Sequence, residues 1–167
     1  MQQLVRRLVN EGTELLAQPR QAAVFAYDPA ADAILNDIDQ HPQAFVLGCL
    51  ANRMGKAQQA WKVPLRLHER FGTLDVSALA QKTGADWVRV AREPTPIHRR
   101  PELMAKVLQL GVQRLQDAYD GDAARIWEGS PPSATVVRRF LEFHGVGPKI
   151  ASMGGEHPRP AVQDSPA

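Results

Sequence analysis

This sequence predicts an all-helical fold, and three observations carry that reading. Apolar residues recur at spacings of three and four along most of the chain. Period-two runs of β-branched residues are nearly absent. Asp-Pro, His-Pro and Asp-Gly steps punctuate the pattern where helices should start and stop. With 167 residues, 44% of them hydrophobic and 23% charged, the composition is that of one globular domain. At this length folding removes roughly 70% of the unfolded chain's surface from water, so an apolar core suffices without disulfides or metals.

The elements follow in order. Leu4, Leu8 and Leu15 mark a first helix. Asp28-Pro29 supplies an N-cap and a first-turn proline for a second, with Ile34, Leu35 and Ile38 turned inward. His41-Pro42 opens the most apolar helix of the chain, which carries Phe45, Val46, Cys49 and Leu50 on one side and Leu47 and Gly48 on another. A helix without a polar face belongs in the middle of the molecule. It ends in the polar run Asn52-Arg53-Met54-Gly55-Lys56. An amphipathic segment with Ala57, Trp61, Leu65, His68 and Phe71 comes next, and Pro64 should interrupt it. Short helices are expected from about Asp75 to Lys82 and around Trp87 and Val90, and Glu93-Pro94-Thr95-Pro96 can only be loop. From Arg100 to Tyr119 the residues Leu103, Val107, Leu108, Leu110, Leu115 and Tyr119 outline a long amphipathic helix stopped by Asp120-Gly121. A short helix holding Ile126 and Trp127 stops at Gly129. Ser130 or Ser133 then caps a helix bearing Val137, Phe140 and Leu141. The boundary of the helical domain is set at residues 1–153. Residues 154–167, with two Gly, three Pro and almost no large apolar side chain, read as a disordered tail.

Charge and cysteine content exclude several classes of function. A net charge of +2 and a pI near 8.9 permit a polyanionic partner without requiring one. Cys49 is the only cysteine, which rules out an intramolecular disulfide, a four-cysteine zinc site and a four-cysteine iron–sulfur cluster within the chain, so no cofactor is expected. Cys49 lies on an apolar helical face and reads as core. The histidines 41, 68, 98, 144 and 157 lack metal-ligand spacing, so no metal site is assigned. Neither a signal peptide nor a membrane span is read from the sequence, and a monomer in a reducing cytoplasm is the expectation. Trp61, Trp87 and Trp127 read as core, while His98-Arg99-Arg100 forms a small basic cluster ahead of a helix.

The segment from Phe140 to Met153 carries the chemistry. A helix ends near His144, Gly145-Val146-Gly147 turns the chain, and Pro148 begins a second helix at the position its fixed φ favours. Two glycines one apart permit φ > 0 and close approach of a partner to the backbone. N–H groups of such a turn, beside the positive end of a helix dipole, bind phosphate without reading base sequence. Val146 would pin the turn to the core. A plain Gly-terminated helix followed by a Pro-started one is the structural alternative.

Gly145-Val-Gly-Pro-Lys-Ile-Ala151 resembles the hairpin of the endonuclease III-like members of the helix-hairpin-helix DNA glycosylase superfamily. Upstream, His41-Pro-Gln-Ala-Phe-Val-Leu-Gly-Cys-Leu-Ala-Asn-Arg53 is similar to that superfamily's buried helix and its lesion-reading tip, with Asn52 where a glutamine is usual. The resemblance spans residues 28 to 153, and only the hairpin is a motif in the strict sense. It implies base-excision repair: a DNA N-glycosylase that bends duplex DNA carrying a damaged or mismatched base, extrudes that base and cleaves its glycosidic bond, close to the nucleoid. Gly145, Val146, Gly147 and Ile150 would form the phosphate-binding hairpin, with Asn52 as a wedge and Arg53 and Lys56 as backbone contacts. Lys149 falls on the lysine that attacks the sugar C1′ in members with β-lyase activity. That role needs a partly desolvated amine, and a solvated phosphate contact is its equal rival. Asn52 fits an ordinary helix terminus as well as a wedge.

The chain also departs from the pattern. The superfamily has a longer helix after the hairpin and a catalytic aspartate in a Val-Asp-x-His segment. Here Gly154-Gly-Glu-His-Pro-Arg-Pro160 should not continue a helix, and Asp164 stands in a Pro-flanked tail, so the catalytic role is not carried onto it. Truncation after the hairpin is the preferred account, since Pro148 to Met153 makes a helix too short to be stable without packing. The alternatives are an intact, non-catalytic helix-hairpin-helix DNA-binding module and an all-helical domain that contacts protein.

Overall fold

The computed structural model describes residues 2–17 and 22–155, and among them the chain is all-helical, with no strand. The first helix, α1 (Gln2–Ala17), is present as expected, but Leu4, Val5 and Val9 on it are exposed at 61, 55 and 60%. The side chains of Leu8 and Leu15, singled out from the sequence, lie outside the description. Helix α2 (Pro29–Asn36) starts as read: the Asp28 carboxylate accepts from the Ala31 N–H at 3.2 Å and Pro29 occupies the first turn. Leu35 is buried, while Ile34 and Ile38 are half-buried.

Helix α3 (Pro42–Ala51) is the axis of the fold. All ten of its residues are buried, Gln43 included, and it touches α2, α4 (Ala57–Trp61), α5 (Val63–Phe71), α8 (Pro101–Tyr119) and α10 (Pro148–Gly155). Two glycines bring these neighbours close. A Cβ on Gly48 would overlap the Trp61 ring, and one on Gly111 of α8 would overlap Leu50. Burial pushes the Cys49 thiol far above its ordinary pKa, which fits the reading of that residue as core. Trp61, Trp87 and Trp127 are buried as well.

The amphipathic stretch expected around Pro64 is broken at Lys62, and Pro64 sits in the first turn of α5, where its missing N–H leaves no helical bond unmade. Gly72, at φ +76°, ends α5. Helices α6 (Val76–Ala80) and α7 (Gly84–Arg92) are capped by Asp75 and by a Thr83/Asp86 capping box. The loop at Glu93-Pro94-Thr95-Pro96 holds a cis peptide bond at Pro94.

Three expectations are corrected. On α8 the buried face is Met104, Val107, Leu108, Gly111, Val112, Leu115 and Tyr119; Leu103 and Leu110 lie at its edge, exposed at 42 and 37%. Neither Ser130 nor Ser133 caps α9 (Ser133–Leu141): the cap position falls on Pro132, which has no side-chain oxygen. The helix after the hairpin does not stop at Met153. It runs through Gly155, because Gly154 packs without a side chain directly on the Phe140 ring of α9 and its carbonyl accepts from the buried indole N–H of Trp127 at 3.0 Å. Two residues assigned to the tail thus belong to the core-facing helix; residues 156–167, Asp164 among them, lie outside the described residues.

Candidate nucleic-acid interface

The hairpin is built from α9, a turn and α10. Helix α9 ends at Leu141, the buried rings of Phe140 in its last turn and Phe143 just beyond it lie tilted against each other at a separation of 5.8 Å, and the Val146 N–H donates to the Phe143 carbonyl at 3.1 Å. Val146 packs against the core, as expected, and Ile150 and Ala151 are buried beneath the turn. Ile150 therefore anchors the start of α10 in the core. The first N–H of α10 to reach a carbonyl is that of Ala151, which donates to Gly147 at 3.0 Å. Those of Lys149 and Ile150 are the orphan donors of a helix N-terminus, with the dipole's positive end behind them.

The two glycines play different parts. Gly145 has φ +68°, a left-handed conformation that an L side chain resists, and a Cβ there would strike the Arg53 guanidinium. Gly147 has no positive φ, and a Cβ on it would meet nothing within 4 Å. Nothing among the described residues requires glycine at 147. Only one of the pair, then, is explained by backbone geometry.

Arg53 is the keystone of the region. Its Nε donates to the Leu50 carbonyl at 3.0 Å and one Nη to the His144 carbonyl at 2.9 Å, so the tip of α3 is bolted to the hairpin turn. Its own carbonyl lies 2.7 Å from His98 Nε2, and His98 Nδ1 accepts from the Arg100 N–H at 3.1 Å. With Nδ1 accepting, Nε2 carries the proton and donates, which fixes the neutral tautomer. Desolvation pulls the Arg53 guanidinium below its ordinary pKa. Sequence reading offered Arg53 as a DNA contact; the structure shows two of its donors held by the protein's own backbone.

Asn52 caps α3, and its Nδ2 lies 3.7 Å from the Met153 sulfur of α10. The tip of the buried helix, the basic cluster at 98–100 and the hairpin, far apart in sequence, are thereby brought together. Lys149 is exposed and makes no ion pair among the described residues. Next to Arg53, Met54 adopts φ +48° and is 48% exposed, a strained and apolar position that periodicity gave no reason to notice. Among the described residues there is no cluster of three or more His, Cys, Asp or Glu able to hold a metal ion, and no helix is long and apolar enough to cross a membrane.

Fold and site together define an all-helical protein with a glycine-turned helical hairpin locked to the tip of a fully buried helix. No protein-family model matches the chain, and no curated protein or solved structure matches it.

Proposed function

We propose that this chain is a DNA-binding protein of base-excision repair, a helix-hairpin-helix DNA N-glycosylase whose hairpin at 140–153 grips the backbone of a duplex carrying a damaged or mismatched base. One observation carries the reading: Gly147 has neither a positive φ nor a crowded Cβ site, yet it lies directly before the orphan N–H groups of α10. A glycine that no described residue requires, placed at a helix N-terminus, suits a site where an external phosphate must approach the backbone closely. Arg53 holds that turn in place, and Lys149 flanks it, exposed and without an ion pair among the described residues.

Lys149 is the candidate nucleophile of β-lyase chemistry: its Nζ, as the neutral amine, would attack the sugar C1′ and displace the base, and cleavage of the C1′–O4′ bond, with an amine proton passing to O4′, would open the sugar to the imine. A non-catalytic DNA-binding module is the second reading, and the exposure of Lys149 favours it, because burial is what frees a lysine amine for attack. In the glycosylase reading the bound DNA must supply that desolvation.

Borohydride trapping on a duplex with an abasic site separates the two. A covalent adduct that disappears in Lys149→Gln supports the lyase. Salt-dependent duplex binding without adduct or base release, weakened by Gly147→Val, supports the module. Absence of duplex binding at low salt removes both.

A further inference from the structure

Beside the hairpin a cleft of about 440 Å³ opens between the tip of α3, helices α4 and α5, and the loop at 95–99. Its floor is apolar, formed by the buried Ala51, Ala60 and Ile97. Its rim carries Lys56, Arg66 and Arg99, with His98 and Arg53 in the wall, and no acidic side chain lines it.

Several cations elsewhere are neutralised by a carboxylate. Lys62 pairs with Asp28, Arg92 with Glu102, Arg114 with Glu142 and Arg125 with Asp120. Lys56, Arg66 and Arg99 make no ion pair among the described residues, and the single side-chain hydrogen bond of Arg66 goes to the neutral amide oxygen of Gln59 at 3.3 Å. Three unneutralised cations around one concavity repel each other and focus a positive potential into it. Such an arrangement works against the stability of the empty protein, and departures of that kind concentrate at ligand sites. The volume lies within the roughly 300–1,000 Å³ of small-molecule sites, which pair an apolar floor with a few polar groups.

We infer that this cleft binds a nucleoside monophosphate unit, its phosphate on the Lys56, Arg66 and Arg99 rim and its base against the Ala51, Ala60 and Ile97 floor. Either a free mononucleotide or the phosphorylated terminal nucleotide of a strand has this chemistry. Gln59, already oriented by Arg66, offers an amide to the edge of the base. Neither Lys149 nor Asn52 lines the cleft, whereas Arg53, which holds the hairpin turn, stands in its wall, so the test relies on Arg66, which touches no part of the hairpin.

The test is calorimetric titration of the full chain with deoxyadenosine 5′-monophosphate, with deoxyadenosine and with inorganic phosphate. The nucleotide should bind at least about tenfold more tightly than either half, because floor and rim act together. Arg66→Gln should weaken it about tenfold, the loss of one charge-assisted hydrogen bond, while the melting temperature does not fall, affinity for a blunt duplex stays unchanged and Arg66→Lys recovers part of the loss. Tighter binding of a duplex with a 5′-phosphorylated one-nucleotide overhang than of the blunt duplex, abolished by Arg66→Gln, identifies the strand terminus as the source; equal binding identifies the free nucleotide. No saturable binding of the nucleotide, or binding indifferent to Arg66→Gln, overturns the inference. Loss of blunt-duplex binding alone bears on the hairpin and leaves the cleft standing.

Discussion

Helix α1 and the α9–α10 hairpin carry comparable sequence signals, and the structure treats them in opposite ways. On α1 the apolar residues are regularly spaced, yet Leu4, Val5 and Val9 point to solvent. On α10 only Ile150, Ala151 and Met153 offer apolar side chains to the core, yet the helix is locked in place by Phe140 on Gly154, by Trp127 on the Gly154 carbonyl and, through the turn, by Arg53. The comparison teaches that amphipathic spacing announces a helix without deciding its burial. Close packing through glycine, by contrast, leaves almost no mark in hydropathy.

Four substitutions would sharpen or break that comparison. The largest effect should come from Gly154→Ala, whose Cβ has nowhere to go but the buried Phe140 ring; about 3 kcal/mol of stability should be lost in urea unfolding, as for an overpacked core. A loss below about 0.5 kcal/mol would mean that the two helices can part freely there. Gly145→Ala should cost about 2 kcal/mol, from the left-handed backbone together with the clash on Arg53. Measured again in an Arg53→Ala background the cost should shrink, and additive losses in this double-mutant cycle would show that the contact is not energetic. Trp127→Phe keeps the aromatic packing but strands the Gly154 carbonyl, so a loss of about 1–2 kcal/mol is expected in thermal denaturation. Leu4→Ser on α1 should change stability by no more than about 0.5 kcal/mol, the range of an exposed position; a drop comparable to that of Gly154→Ala would mean that α1 is covered in solution.

Much of the candidate interface could be read from the chain. The glycine turn, the proline that starts α10, the polar end of α3 and the basic run at 98–100 are local patterns, and local patterns follow from backbone propensity and side-chain period. The role of Arg53 was not readable in this way. Its sequence neighbourhood is that of a solvated loop cation, and only the fold brings the His144 carbonyl within 2.9 Å of it. The cleft was hidden for the same reason, since Lys56, Arg66 and Arg99 look like ordinary surface cations until α4, α5 and the 95–99 loop converge. Gly154 was misread because a glycine after a short apolar run has the composition of a tail, and its value lies in a ring fourteen residues earlier in the chain.

By itself, then, the sequence determined the all-helical class, the order of the elements, the buried α3 and the glycine turn ahead of α10. Each of these depends on residues within a turn or two of each other. Tertiary structure alone decided which apolar face stays in water, which glycine is required by backbone conformation and which by a neighbour's ring, and which cations are spent on carbonyls and which left unpaired around a cleft. These outcomes depend on distances between side chains tens of residues apart, and only packing fixes such distances.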